Sequence, residues 1–458
     1  MNQEQQLSRG LGIWTATAVV IANMIGTGIF TITGFMTADI HSPLLILGLW
    51  IAGGVIALMG AFAVAELGAM LPFAGGDYIF CLHSYGPFWA FMSGWISLLV
   101  GFSAPIAAAA LGIVEYLGFY FPALSPMSVT PTFVGPMKVY LSWSHLLAIF
   151  FICLLAGFHY TGLRTSRIVQ NSITAVKVTF IISIITLGFL FGTGSWEHFI
   201  TNPDIVNSSS VLPKTAVSLI FIMFAYSGWN AAAYIAGEIR NPEKVIPRSL
   251  ILGTSIVAVL YILLNVIYFY ALPIDKMTNV VRIGAEALSA LFGAKVANLT
   301  NVIFVVSMTG CLSAMVFIGP RVYYAMAKDN LFFKSFRNVH PKFQTPGTAI
   351  ILQAIWSSLL VISGTFDQLL VYAGFILTVF ISLTVGAVYV LRFKRPDLPR
   401  PYKTWGYPVT PAIFLLTCIW TIFYTIAGRP WESILGLLTV VLGVPFYLYF
   451  TRKKKQII

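Results

Sequence analysis

The sequence predicts an all-α integral membrane protein with twelve transmembrane helices, and three observations carry that reading. Of its 458 residues, 58% are hydrophobic and 9% charged, with a mean hydropathy of +0.87, whereas soluble domains are near half apolar and a quarter charged. The apolar residues form long continuous runs, not the short alternating segments of a barrel strand. The basic residues gather on alternate sides of those runs. Soluble globular, disordered and disulfide-built secreted classes are excluded. A span takes about 20 apolar residues, so the chain has room for about a dozen spans and for no large soluble domain between them.

The runs cover 11–37, 43–71, 86–121, 143–161, 165–192, 214–239, 247–272, 297–328, 346–364, 367–393, 409–427 and 431–451. The first follows a short polar stretch with no small-residue cleavage site, which predicts no removed signal peptide. Between runs seven and eight, residues 280–292 are amphipathic and read as a short helix lying on the surface. The four cysteines, at 81, 153, 311 and 418, show no zinc or redox spacing. They read as small core residues without a disulfide.

Orientation follows from the basic residues. With both termini inside, the cytoplasmic segments hold 20 of the 27 Lys and Arg: Arg9, Arg164, Arg167, Arg240, Lys244, Arg248, Arg321, Lys328, Lys334, Arg337, Lys342, Arg392, Lys394, Arg395, Arg400, Lys403 and Arg452 to Lys455. The outer segments hold 6: Lys138, Lys214, Lys276, Arg282, Lys295 and Arg429. This asymmetry accounts for the net charge of +12 with no nucleic-acid partner. The basic tail 452–455 reads as a topology and lipid-headgroup anchor.

Two runs are interrupted near their middles. Run one carries Asn23-Met24-Ile25-Gly26-Thr27-Gly28-Ile29-Phe30, and run six carries Phe224-Ala225-Tyr226-Ser227-Gly228-Trp229-Asn230. Glycine disfavours helix by about 1 kcal/mol relative to alanine. Broken backbone at membrane depth is tolerated only where it faces a cavity or a ligand. The free N–H groups of a following half-helix suit an anionic group such as a carboxylate. Glycines also serve close helix packing. Two breaks five helices apart, however, are what two inverted five-helix repeats with a midplane site produce. The chain is thus expected to be one domain over 1–458, with repeats at 11–192 and 214–393 and the last two helices at 409–451 outside them.

Lys177 is the basic residue that topology leaves over. It lies about ten residues into run five, roughly 15 Å deep at the helical rise. A charge there costs at least about 2.5 kcal/mol, and that depth argues against snorkelling. Two roles follow: a carrier of a transported proton, or a fixed charge standing where a cation would sit.

The segment Gly237-Glu238-Ile239-Arg240-Asn241-Pro242-Glu243-Lys244-Val245-Ile246-Pro247-Arg248 resembles the signature after helix six of the amino acid–polyamine–organocation superfamily of transporters. So does Ala65-Glu66-Leu67-Gly68-Ala69-Met70-Leu71-Pro72 with Gly75-Gly76-Asp77-Tyr78 after helix two. The two glycine breaks and Lys177 resemble the L-type amino acid transporters most closely, bacterial rather than animal, and the likeness spans nearly the whole chain. The resemblance implies a five-plus-five inverted-repeat fold. It places the substrate carboxylate on N–H groups at Thr27, Gly28 and Ile29, beside Gly26. It places the substrate amine on carbonyls at Ile25, Phe224, Ala225 and Ser227, with Tyr226 and Gly228 in the same break. Phe224 would cap the occupied site from outside. Lys177 would replace a sodium ion, held by a carbonyl near Ile25 and a hydroxyl at Ser307 or Ser313. Where the L-type pattern prefers serine and glycine, this chain has Thr27 and Ser227, and the added bulk implies a smaller pocket. Residues 122–142 lack the cysteine that tethers animal L-type subunits, so no disulfide-linked heavy chain is expected.

Other polar residues receive lesser roles. Glu115 reads as an interfacial carboxylate or, for cationic substrates, an amine site. Glu66 and Asp77 are candidates for inner-gate ion pairs with Arg164, Arg240 or Arg321. His159 reads as a satisfied interface residue, and Trp229 either packs behind the break or meets ligand. Asn207-Ser208-Ser209 fits a weak glycosylation sequon. An enzyme would need clustered catalytic side chains, a channel a continuous polar stripe or charged rings, and an ATP-driven pump a phosphate-cradling loop; none is present. The expectation is a sodium-independent transporter of neutral amino acids in the plasma membrane, working by alternating access and without a cofactor or metal. Proton symport and cationic amino acid or polyamine transport are the alternatives. The latter are weaker because no carboxylate is near either break in the sequence.

Overall fold

The computed structural model describes residues 7, 9–118, 120–124, 132–134, 137–200, 211–280, 282–363, 366–428 and 430–455. The sequon at Asn207 lies outside the described residues. The first run forms α1 (Ile13–Met24) and α2 (Gly28–Asp39), separated at Ile25-Gly26-Thr27. Next comes α3 (Pro43–Met70), started by Pro43 in its first turn and by the Ser42 hydroxyl, which accepts from the Leu45 N–H. A turn through Gly75 and Gly76, at φ +120° and +52°, leads into α4 (Asp77–Tyr85). Span three consists of α5 (Pro87–Ile96), a π-helical turn at Ser97–Phe102, and α6 (Ser103–Leu117).

A two-stranded antiparallel hairpin, Thr132–Val134 with Met137–Val139, precedes α7 (Trp143–Tyr160) and α8 (Leu163–Phe191). Run six forms α9 (Val211–Ala225) and the short α10 (Ala231–Tyr234). After it come α11 (Pro242–Ala271) and α12 (Ile283–Phe292). The latter is the expected amphipathic helix, with Ile283, Ala287, Leu288 and Leu291 buried. The chain continues through α13 (Ala294–Ile318), α14 (Pro320–Lys328), α15 (Gly347–Ser363), α16 (Phe366–Lys394), α17 (Val409–Gly428) and α18 (Pro430–Lys455).

Ten helical segments among the described residues are long and apolar enough to cross a membrane. The expected helix six falls short because it is split, leaving α9 with 15 residues, and the expected helix nine, α15, has 17. The protein is a multi-pass, mostly helical membrane protein. Its first span is its interior: in the apolar window of Ile13–Asp39, 83% of residues are buried, against 17% for Ser433–Arg452 at the chain's other end. That contrast puts the broken helix at the centre. The last helix lies at the periphery, with Leu435, Val441 and Leu442 exposed where lipid chains satisfy them. Cys153 is also exposed, which corrects its reading as a core residue.

Candidate functional site

The two breaks meet at the centre of the molecule. Asn23, one residue before the end of α1, donates from Nδ2 to the Gly228 carbonyl at 3.2 Å. Gly228 has φ +98°, and a Cβ there would collide with the Asn23 side chain, so glycine is required both for backbone shape and for space. At Gly28, an added Cβ would lie 2.9 Å from the Ala225 Cβ. The glycines at both breaks thus let the two chains touch.

Between the breaks and the helices around them is a cavity of about 110 Å³. Phe224, Ser227 and Gly228 line it, with Asn23 facing them. Ser97, Gly101 and Phe102 of the π-helical turn form another wall, in keeping with the frequent use of such turns at functional sites. Trp229 also lines the cavity and packs edge-on to Phe414, ring centroids 5.8 Å apart, which is the packing reading offered for it from sequence. Of the substrate residues expected in run one, Ile25, Gly26, Thr27, Gly28 and Ile29 form the break but do not line this cavity. Ala225 and Tyr226 do not line it either; the Tyr226 hydroxyl donates away from it to the Trp50 carbonyl at 3.0 Å.

The backbone of the breaks is partly used. Among the described residues, no backbone hydrogen bond of the break employs the N–H of Thr27, Gly28 or Ile29, as is usual at a helix start. The Phe224 carbonyl accepts from the Ser227 N–H at 2.9 Å. The Ile25 carbonyl accepts from Lys177 Nζ at 2.5 Å, and the Ala22 carbonyl from the same ammonium at 3.2 Å. Lys177 is completely buried.

Its expected helix-eight partner is not a serine. Ser313 Oγ is engaged with His159 Nε2 at 2.8 Å and with Gln170 Oε1 at 3.3 Å, and Ser307 Oγ is buried without a hydrogen-bond partner. Gly310 and Cys311 face the site instead: a Cβ at Gly310 would lie 3.4 Å from Lys177 Nζ, and one at Gly26 would lie 3.0 Å from Cys311 Sγ. Ser307 shares the helix face of Gly310 and Cys311, one turn earlier, whereas Ser313 is turned away from Cys311 toward His159 and Gln170. His159 is an interface residue, bridging Ser166 at 3.0 Å to Ser313.

The acidic residues also find partners other than those expected. Glu66 pairs with Arg392 at 2.6 Å and Arg400 at 3.4 Å, and it accepts from the backbone N–H and hydroxyl of Thr404. Arg321 pairs with Glu238 at 3.0 Å and lies over the Phe317 ring. Among the described residues, Asp77 reaches no arginine: it accepts from Tyr234 Oη at 2.7 Å and from Asn230 Nδ2 at 3.2 Å to each oxygen, and it lines the central cavity. A carboxylate therefore does stand beside the break of run six, contrary to the sequence expectation. It arrives from the turn before α4, a segment distant in sequence. Glu115 is half-buried on α6.

Sequence reasoning missed Tyr261. Its hydroxyl lies within reach of the Met24 carbonyl and of the Ala225 carbonyl. No local pattern marks a tyrosine in the middle of an apolar run as a link between two breaks.

The chain is similar to known proteins over nearly its whole length. Residues 11–444 match the Amino acid permease family. The chain is similar to the serine/threonine exchanger SteT of Bacillus subtilis (strain 168), 30% identical over 99% of each chain. It is also 30% identical to the b(0,+)-type amino acid transporter 1 of Homo sapiens, over 98% of this chain and 89% of that protein. To the large neutral amino acids transporter small subunit 2 of Homo sapiens it is 29% identical, over 98% of this chain and 82% of that protein. These relatives are transporters, not enzymes. With two touching helix breaks around a small central cavity and a family match over nearly its whole length, the chain belongs to the amino acid permease family.

Proposed function

We propose that the protein is a sodium-independent transporter of neutral amino acids in the plasma membrane, exchanging one amino acid for another by alternating access. The observation that carries this reading is the buried Lys177 ammonium on the Ile25 and Ala22 carbonyls. A fixed positive charge on those oxygens does for the break of run one what a bound sodium ion would do. The free N–H groups at Thr27, Gly28 and Ile29 suit the substrate carboxylate. Of the four expected carbonyls, those of Phe224 and Ser227 belong to cavity-wall residues and suit its amine, and Phe224 suits a cap. The relatives' names, which speak of serine, threonine and large neutral amino acids, support neutral substrates, and the small cavity supports small to medium ones.

The reading includes twelve spans, an inverted repeat of 11–192 and 214–393 with 409–451 outside it, cytoplasmic termini, and no disulfide-linked heavy chain. A second reading, proton symport or cationic amino acid or polyamine transport, is favoured by one observation, the cavity-lining Asp77.

The test is counterflow in proteoliposomes preloaded with a panel of amino acids, with sodium replaced by choline and with or without a pH gradient. Uptake of labelled serine, alanine or leucine that depends on internal amino acid and ignores sodium is expected. A requirement for sodium, or strong arginine uptake without neutral uptake, overturns the reading.

A further inference from the structure

Three carboxylates are deeply buried among the described residues: Glu66, Asp77 and Glu238, at 1%, 7% and 1% exposure. Two of them hold arginines, Glu66 through Arg392 and Arg400, Glu238 through Arg321. Asp77 differs, since its partners are the neutral side chains of Asn230 and Tyr234. A buried charge without a counter-charge is costly, and a carboxyl escapes that cost by taking a proton. Asp77 also differs in place, because it lines the central cavity and so has a route to solvent protons that a sealed core carboxyl lacks.

Its surroundings supply no other neutraliser. Thr384 of α16 and Cys81, one turn along α4, lie beside it. The charged groups packed on α4 from its neighbours are Asp329, held by the Tyr78 hydroxyl at 2.7 Å, and Lys394, on the Ser84 carbonyl at 3.3 Å. Neither bonds Asp77. Burial pushes the Asp77 carboxyl up to about 6, against the opposing donors Tyr234, Asn230 and Thr384.

We propose that Asp77 is a proton-binding site of this carrier, loaded from the cavity and joined through Asn230 to the break of run six. The step is the transfer of one proton from cavity water to a carboxylate oxygen, cancelling one negative charge. Oδ1 is the oxygen for it, because Oδ2 is already held by both Tyr234 and Asn230. Protonation weakens the hydrogen bonds that Asn230 and Tyr234 make to a charged acceptor. The tie between α4 and the break loosens, and the inner half of run six is freed to move. A substrate ammonium is a poorer occupant, since both oxygens are already engaged and the group is nearly closed off.

The proposal rests on the transport reading only for its consequence, so the experiment has two arms. In the first, infrared difference spectra are recorded on the purified full chain as the pH is lowered through 6. A protonated-carboxyl band is expected in the parent protein, lost in Asp77→Asn and moved to higher pH in Tyr234→Phe, which lacks a donor to the charged form. The Tyr234→Phe shift decides the matter if Asp77→Asn does not fold. In the second, counterflow of a neutral amino acid is followed against pH. The parent and Asp77→Glu are expected to titrate, and Asp77→Asn to be flat. A band that persists in Asp77→Asn, or an Asp77→Asn profile with the parental midpoint, overturns the proposal. So does suppression of the band by added arginine or putrescine, which would make Asp77 a cation subsite. If the parent moves no amino acid, the transport reading fails while the infrared band still decides the proton site.

Discussion

The Tyr261 hydroxyl lies 2.6 Å from the Met24 carbonyl oxygen, and 3.2 Å from that of Ala225. Met24 ends α1 and Ala225 ends α9, so the single hydrogen of one α11 hydroxyl can be given to the carbonyl end of either interrupted helix, the shorter contact being to Met24. Helix ends leave carbonyls without intrahelical partners, and at membrane depth such groups need a replacement. Tyr261→Phe removes it. Leaving a buried polar group unsatisfied costs about 1–3 kcal/mol, so the melting temperature in detergent is expected to fall by several degrees and counterflow to slow by about tenfold. Parental melting and rate in this variant would show that the hydroxyl ties nothing.

Lys177 acts on the same break from the other side. Lys177→Met keeps much of the side-chain volume and removes the donor to Ile25 and Ala22. Hydrogen bonds from charged groups contribute about 1.5–3 kcal/mol, so exchange is expected to drop by at least about tenfold while the protein still inserts and purifies. Proteoliposome counterflow measures it. Unchanged uptake would remove Lys177 from the machinery.

Gly228→Ala tests the contact between the breaks. The added Cβ must adopt φ +98° and enters the space of the Asn23 side chain. Backbone strain of this kind costs of order 1–3 kcal/mol, and both stability and transport are expected to be lost. Shortening the opposing side chain in Asn23→Ala/Gly228→Ala should recover part of the stability. If the single variant transports normally, the breaks do not need to touch.

Phe224 is half-buried on the cavity wall. Phe224→Ala is expected to raise the KM for substrate by about tenfold, roughly 1.4 kcal/mol of uniform binding, and to leave the melting temperature within a few degrees of the parent. A parental KM would mean that Phe224 does not close over substrate.

The Arg321–Glu238 pair is almost fully buried. Removing one partner leaves a buried charge, which costs about 3–5 kcal/mol. Arg321→Met and Glu238→Gln alone should therefore each destabilise strongly, and Arg321→Met/Glu238→Gln less so. Thermal unfolding of the four forms provides the cycle. Equal melting of the single and double variants would show that the pair is not coupled.

Much of the molecule was readable before folding. The bilayer demands runs of about 20 apolar residues, and it tolerates broken backbone only at a site. The spans, both breaks and Lys177 therefore stood out in one dimension. The arginine partners of Glu66 did not, because Arg392 and Arg400 come from the far end of the chain. Asp77 read as a candidate for an inner-gate ion pair, since nothing local shows that the turn at Gly75 and Gly76 carries it into the cavity. Ser307 and Ser313 followed from the family resemblance, and which group meets the lysine depends on how α13 packs against α1 and α8.

By itself, then, the sequence determined what the bilayer enforces residue by residue: which segments span, where helices break, and that one lysine is stranded at depth. Those are local energies, set by each segment against lipid. Tertiary structure decided which carbonyls Lys177 and Tyr261 meet, that Cys311 rather than a serine faces the break, and that Asp77 stands in the cavity without an arginine. Those depend on helix rotation and on contacts between distant segments, which the hydrophobic pattern of any single helix leaves open.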